Sequence, residues 1–104
     1  MDFEEQAMRL IVSAGNAKSS AMNAIAQAKG GNWEGVRAAL AESDAAMIEA
    51  HKEQTNILQE SLDNPEQGTG MLMVHAQDHL MTAITIMDLA REFCDLYEII
   101  QKQE

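Results

Sequence analysis

Two histidines stand four residues apart in the segment VHAQDHL, with Asp78 directly before the second of them. On a helix, His75 and His79 would lie one above the other on a single face. The third histidine, His51, belongs to EAHKEQT at positions 49–55, which also supplies Gln54. Three chemistries suit such a set. Two imidazoles one turn apart beside a carboxylate, here His75, His79 and Asp78, can ligate a transition metal. The zincin pattern HExxH requires a glutamate where this chain has Ala76, so metal-assisted hydrolysis would lack a placed general base. Alternatively, a neutral imidazole with one nitrogen exposed and the other held can act as a nucleophile, provided donors await the incoming oxyanion. Gln54, Gln77 and His79 are the candidate donors. The third reading is structural: buried histidines that only satisfy one another.

These residues are expected to cluster, because a buried imidazole or amide left without a partner costs about 1–3 kcal/mol. In an antiparallel hairpin turning at residues 62–70, Gln54 lies shortly before the turn, and His75 and His79 lie a similar distance after it. His51, Gln54, His75, Gln77, Asp78 and His79 are therefore predicted to occupy one level of the molecule.

The elements that would position this layer are helices. One proline (Pro65), six glycines and four aromatics among abundant Ala, Met, Glu and Gln favour helix almost throughout. Two interruptions, Gly30-Gly31-Asn32 and DNPEQGTG at 63–70, divide the chain. They leave three helices, at about 2–29, 33–61 and 71–103, with Asp2 and Asn32 as N-caps and Gly30 ending the first. Apolar seams at alternating steps of three and four mark the faces to be buried. The first helix offers Phe3, Ala7, Leu10, Ala14, Ala17, Ala21, Ala24 and Ala28. In the second the seam is Val36, Leu40, Ser43, Met47, Ala50, Gln54 and Ile57. The third runs Leu72, His75, His79, Thr82, Ile86, Leu89, Phe93, Leu96, Ile100. Long helices and short links predict an all-α, up-down-up antiparallel bundle filling residues 1–104 as a single domain.

Around the third seam, Met71, Met73, Val74, Leu80, Met81, Ile84, Met87 and Ala90 occupy most other sides. Two neighbours within one chain cannot cover a helix that is apolar nearly all round, so this helix is expected at the centre of an oligomer.

Composition excludes other classes. Seven Lys and Arg against 17 Asp and Glu give a formal charge of −10, which repels nucleic acid and anionic lipid. No apolar run approaches the roughly 18 residues of a membrane span, so direct insertion is not expected. The start MDFEEQAM lacks the basic flank and apolar core of a signal peptide, and the single cysteine, Cys94, cannot form an internal disulfide. A cytoplasmic protein is expected. Cys94 reads as a small core residue and Trp33 as a packing anchor over the Gly30-Gly31 turn.

Three segments carry a resemblance over almost the whole chain: AGNAKSSAMNAIAQAKGGNW at 14–33, EAHKEQT at 49–55, and VHAQDHLMTAI at 74–84. In these the chain resembles the lactose/cellobiose-type IIA components of the bacterial phosphoenolpyruvate-dependent sugar phosphotransferase system. The resemblance implies a homotrimer of three-helix subunits that accepts a phosphoryl group from the phosphocarrier HPr and passes it to a cysteine of a IIB component. His75 matches the family's phosphorylated histidine. Asp78 matches its axial aspartate, which meets two symmetry mates and can hold one divalent ion such as Mg2+ per trimer. Three carboxylates on a threefold axis must share protons or a cation to avoid repulsion. Gln77 and His79 match neighbours of the active histidine, with orienting or phosphate-contacting roles implied. His51 and Gln54 match EAHxxQT. The transported sugar, of cellobiose, lactose or chitobiose type, is left open.

Overall fold

Asp2 and Asn32 both cap as expected: their side chains accept from the amides of Glu4 and Gly35, each at 3.0 Å. In the computed structural model, which describes residues 2–66 and 70–103, three helices follow: α1 (Phe3–Lys29), α2 (Trp33–Asp63) and α3 (Met71–Lys102). Residues 67–69, within the predicted DNPEQGTG interruption, lie outside the described residues, as do Met1 and Glu104. Gly30 ends α1 as expected. Gly30 caps α1 in an ordinary right-handed conformation, and Gly31, at φ +77°, makes the reversal. α2 runs two residues past its predicted end, to where the amide of Asn64 bonds the carbonyl of Glu60. The fold is an all-α antiparallel bundle, 58 × 17 × 16 Å, with no strand among the described residues.

Within the subunit α1 is the central helix. Ala7, Leu10, Ala14, Ala17, Ala21, Ala24 and Ala28 are all buried, as their spacing predicts. A stripe this rich in alanine lets α2 and α3 both pack closely along α1, whereas α2 and α3 barely approach each other. α2 contributes Val36, Ala39, Ser43, Met47, Ala50 and Ile57, with Leu40 and Gln54 half-buried at its edges. Ser43 is fully buried but satisfied, since its hydroxyl donates to the carbonyl of Ala17 at 2.7 Å.

The predicted seam of α3 requires correction. The buried residues are Met73, Ala76, Leu80, Ala83, Ala90 and Cys94, one position round from the expected line. His75, Thr82, Leu89, Phe93, Leu96 and Ile100 are exposed in the subunit. The physical reason is steric: the face of α3 turned to the alanine stripe of α1 carries the small side chains of Ala76, Ala83 and Ala90, with Met73 and Leu80 buried between and beside them, and the line of consecutive bulky residues turns away. Met71, Val74, Met81, Leu89, Phe93, Leu96, Ile99 and Ile100 thus leave one long apolar face on α3 open.

Candidate functional site

Because α3 begins at Met71, its first turns hold the whole VHAQDHL segment in one rigid rod. His75 is exposed and His79 half-buried, with their Nε2 atoms 3.1 Å apart. The rings meet edge to face, with centroids 4.5 Å apart and planes at 84°. The pair follows directly from i, i+4 spacing on a helix. The remaining nitrogen of His79, Nδ1, is buried and has no hydrogen-bond partner.

Gln77 follows His75 by two residues and therefore projects about 200° away round the helix. Its Oε1 accepts from Gln54 Nε2 of α2 at 3.0 Å, and its own amide group lies 4.0 Å from the sulfur of Met73. The imidazole side of α3 instead borders α1. Ile86 and Phe93, seven and fourteen residues beyond His79, line a cavity of about 300 Å3 with Met22 and Ile25 of α1. The predicted polar layer is thus split. Gln54 and Gln77 bond each other on the α2 flank, so neither serves as a donor beside His75 within the subunit, and among the described residues His79 is its side-chain hydrogen-bond neighbour. The contact with Met73 was not anticipated, although a residue one turn before Gln77 was the available signal.

His51 is exposed on the outer face of α2, in a shallow hollow with Ile48, Lys52, Thr55 and Asn56, and is not joined to the imidazole pair. Asp78, two residues beyond buried Ala76, faces outward and takes part in no ion pair among the described residues. Its backbone carbonyl accepts from the hydroxyl of Thr82 at 2.8 Å. Among the described residues no group of three or more His, Cys, Asp or Glu could hold a metal ion. His75, His79 and Asp78 of one chain accordingly do not form the metal site that their types allow. Glu53, to which sequence reasoning attached no role, is half-buried with Oε2 buried and unpartnered.

Trp33 and Cys94 lie far from the imidazoles. They share a cavity of about 320 Å3 with Arg37, Leu40 and Arg91 near the other end of the bundle. Burial pushes the Cys94 thiol above its ordinary value, Asp95 adds to this, and Arg91 opposes it. A thiol held protonated is a core group. No helix among the described residues is long and apolar enough to cross a membrane.

The arrangement offers one exposed imidazole, backed by a second that can donate or accept a hydrogen bond, on a rod with an open apolar face. Residues 5–98 match the family model of the lactose/cellobiose-specific IIA subunit of the phosphotransferase system. The lichenan-specific phosphotransferase enzyme IIA component of Bacillus subtilis is 41% identical over 102 residues, covering 98% of this chain and 93% of that one. The crystal structure of the cellobiose-specific enzyme IIA from Bacillus anthracis superposes with a TM-score of 0.92 at 37% identity, covering 100% of this chain and 96% of that one. The IIA(chitobiose) of Escherichia coli, solved in solution as a complex with HPr, has a TM-score of 0.84 at 34% identity, with coverage of 97% and 98%. The chain belongs to the lactose/cellobiose-specific IIA family and is a phosphoryl-transferring component of a sugar phosphotransferase system.

Proposed function

We propose that this chain is a cytoplasmic phosphocarrier whose His75 takes a phosphoryl group from phospho-HPr and passes it to a cysteine thiolate of the cognate IIB component. The observation that carries this reading is an exposed imidazole whose Nε2 is contacted by a single polar partner, His79. A lone pair on His75 attacks phosphorus in line. The phosphorus–nitrogen bond of the donor breaks with its electron pair remaining on the leaving imidazole, and the acceptor ring keeps or releases its other proton to water. Little covalent chemistry is needed beyond positioning and charge stabilisation. Transfer to IIB repeats the step, with the thiolate as nucleophile and the His75 ring as leaving group. The HPr complex of the Escherichia coli relative supports HPr as the donor. The relatives' names support a sugar of the cellobiose, lactose or chitobiose type.

The working unit is a homotrimer packed through the open apolar face of α3, where Leu96 and Ile99 are 51% and 55% exposed in the subunit. Asp78 lies on the outward side of this helix, so three copies would meet there. One chain supplies a single carboxylate, and the oxygen donors that suit Mg2+ exist only where three Asp78 side chains converge. A cation held there would neutralise their repulsion. Gln77 and Gln54, on the flank opposite His75, are orienting or phosphate-contacting groups for a histidine of a neighbouring subunit.

Incubation with enzyme I, HPr and phosphoenolpyruvate, followed by intact-protein mass measurement, tests the reading. One acid-labile phosphate per chain is expected on the wild type and none on His75→Gln with unchanged helicity. Retained phosphorylation of His75→Gln would overturn it.

A further inference from the structure

His79 has one nitrogen against His75 and the other, Nδ1, shut away from water with no partner. The two rings share a single hydrogen bond between their Nε2 atoms, and in neutral rings one must donate while the other accepts. Two arrangements are possible. If His75 donates, His79 carries its proton on Nδ1, and a buried N–H is left without an acceptor. If His79 donates, its Nδ1 is a bare nitrogen, buried and without a donor. Orphaned buried donors are rarer in folded proteins than under-used acceptors. The second arrangement therefore prevails, since the hydrogen bond that one nitrogen makes sets where the proton sits on the other.

We infer that His79 is a positioning residue that fixes the tautomer of His75: His79 holds its proton on Nε2 and donates it to Nε2 of His75, which must then carry its own proton on Nδ1. The consequence is chemical. A free histidine ring favours the form protonated on Nε2, whose exposed nitrogen has no lone pair to offer a phosphorus centre. The buried Nδ1 of His79 reverses that preference at His75 and leaves an in-plane lone pair on its Nε2. As phosphorus bonds to that lone pair, the N–H of His79 loses its nitrogen acceptor and can turn to a phosphoryl oxygen instead, so the same donor serves before and after transfer. No proton has to leave His75 before attack. The inference rests on His75 being the phosphate acceptor, and it assigns the residue that prepares the attacking nitrogen.

Nitrogen-15 NMR at pH 8, where ordinary imidazoles are neutral, reads the tautomers directly. Wild-type protein is expected to show His75 protonated on Nδ1 and His79 protonated on Nε2, and the phosphorylated protein to carry phosphate on Nε2 of His75. In His79→Phe, which keeps an aromatic body but no donor, His75 is expected to revert towards the Nε2-protonated form, with a slower initial rate of phosphate uptake. His79→Gln, which places an amide donor near the same point, is expected to recover much of both. A proton on Nδ1 of His79 in the wild type, or an unchanged His75 tautomer in His79→Phe, would overturn the inference. The wild-type spectrum decides it even if the variants fold poorly. Failure of the acceptor reading is separable: it would appear as phosphate on His75→Gln, whatever the tautomers.

Discussion

Arg91 of α3 reaches both carboxylate oxygens of Asp44 in α2 with a single guanidinium nitrogen, at 2.7 Å each. The other described ion pairs each lie within one helix. This one spans the seam where α2 and α3 barely meet. Both side chains are about half exposed, at 46% and 53%, so solvent weakens the attraction. Arg91→Ala or Asp44→Asn is expected to lower unfolding stability by about 0.5 kcal/mol. A double-mutant cycle from urea melts measures it, and the effect should shrink further in high salt.

The alanine stripe makes a stronger demand. Ala14 and Ala21 are fully buried where α1 meets its neighbours. Ala14→Leu or Ala21→Leu should force the helices apart and cost about 1–3 kcal/mol or more. The check is thermal unfolding beside a surface alanine control such as Ala45→Leu, which should change little.

At the first turn the two glycines are not equivalent. Gly31 has φ +77°, and an added Cβ would stand 3.4 Å from Oε1 of Gln101. Gly30 is right-handed, and a Cβ there meets only backbone oxygens at ordinary distance. Gly31→Ala is expected to destabilise by about 1 kcal/mol through the left-handed backbone alone. Gly30→Ala should be near neutral in the same denaturant melt.

The raised thiol of Cys94 gives a pH dependence with a defined sign. A group whose folded value lies above its unfolded one adds stability that is fully present at low pH and lost as pH rises past the folded value. Urea melts of wild type should weaken above about pH 8.5, where a free thiol ionises. Cys94→Ala should remove that alkaline slope while keeping a pH-independent packing loss. Thiol reagents should label the folded wild type slowly at neutral pH.

The apolar face of α3 predicts assembly. Leu96→Glu places a charge on a residue that is half exposed in the subunit, so the helices should persist by circular dichroism. Sedimentation should then show the proposed trimer giving way to subunits.

Why some of this was legible and some not is a matter of side-chain size and symmetry. α1 carries alanine at seven-residue and intermediate steps, so the line from Ala7 to Ala28 was readable. A second stripe of Met8, Ile11, Gly15, Met22 and Ile25, expected to widen the buried face, leaves Met8 and Met22 exposed, and buried Gln6 was missed. The caps at Asp2 and Asn32 follow from local hydrogen bonding and need no tertiary context. α3 is apolar on several sides, and periodicity alone cannot rank Leu72–His79–Ile86–Phe93 above Met73–Ala76–Leu80–Ala83. The choice depended on which stripe fits against alanine, which is a property of the neighbouring helix. The same ambiguity hid the division of the polar layer. The level shared by Gln54 and Gln77 followed from the hairpin, and the pairing of His75 with His79 followed from their spacing. That Gln77 lies about 200° round the helix from His75 also follows from spacing, whereas which of those sides faces α2 required knowing how α3 is rotated. Burial of one nitrogen of His79 had no sequence signal at all.

The central place of α1 also separates the order of the helices along the chain from the order of their packing. α2 and α3 are consecutive, yet each is held chiefly by α1, and the link between Asp63 and Met71 joins two helices with little common surface. Cutting that link would leave a fragment of α1 and α2 with α3 still seated along α1, and a new chain start at Gly70 would cost the fold little of its buried surface. Topology here is a convenience of synthesis, while α1 works as the mandrel on which the other two helices are laid.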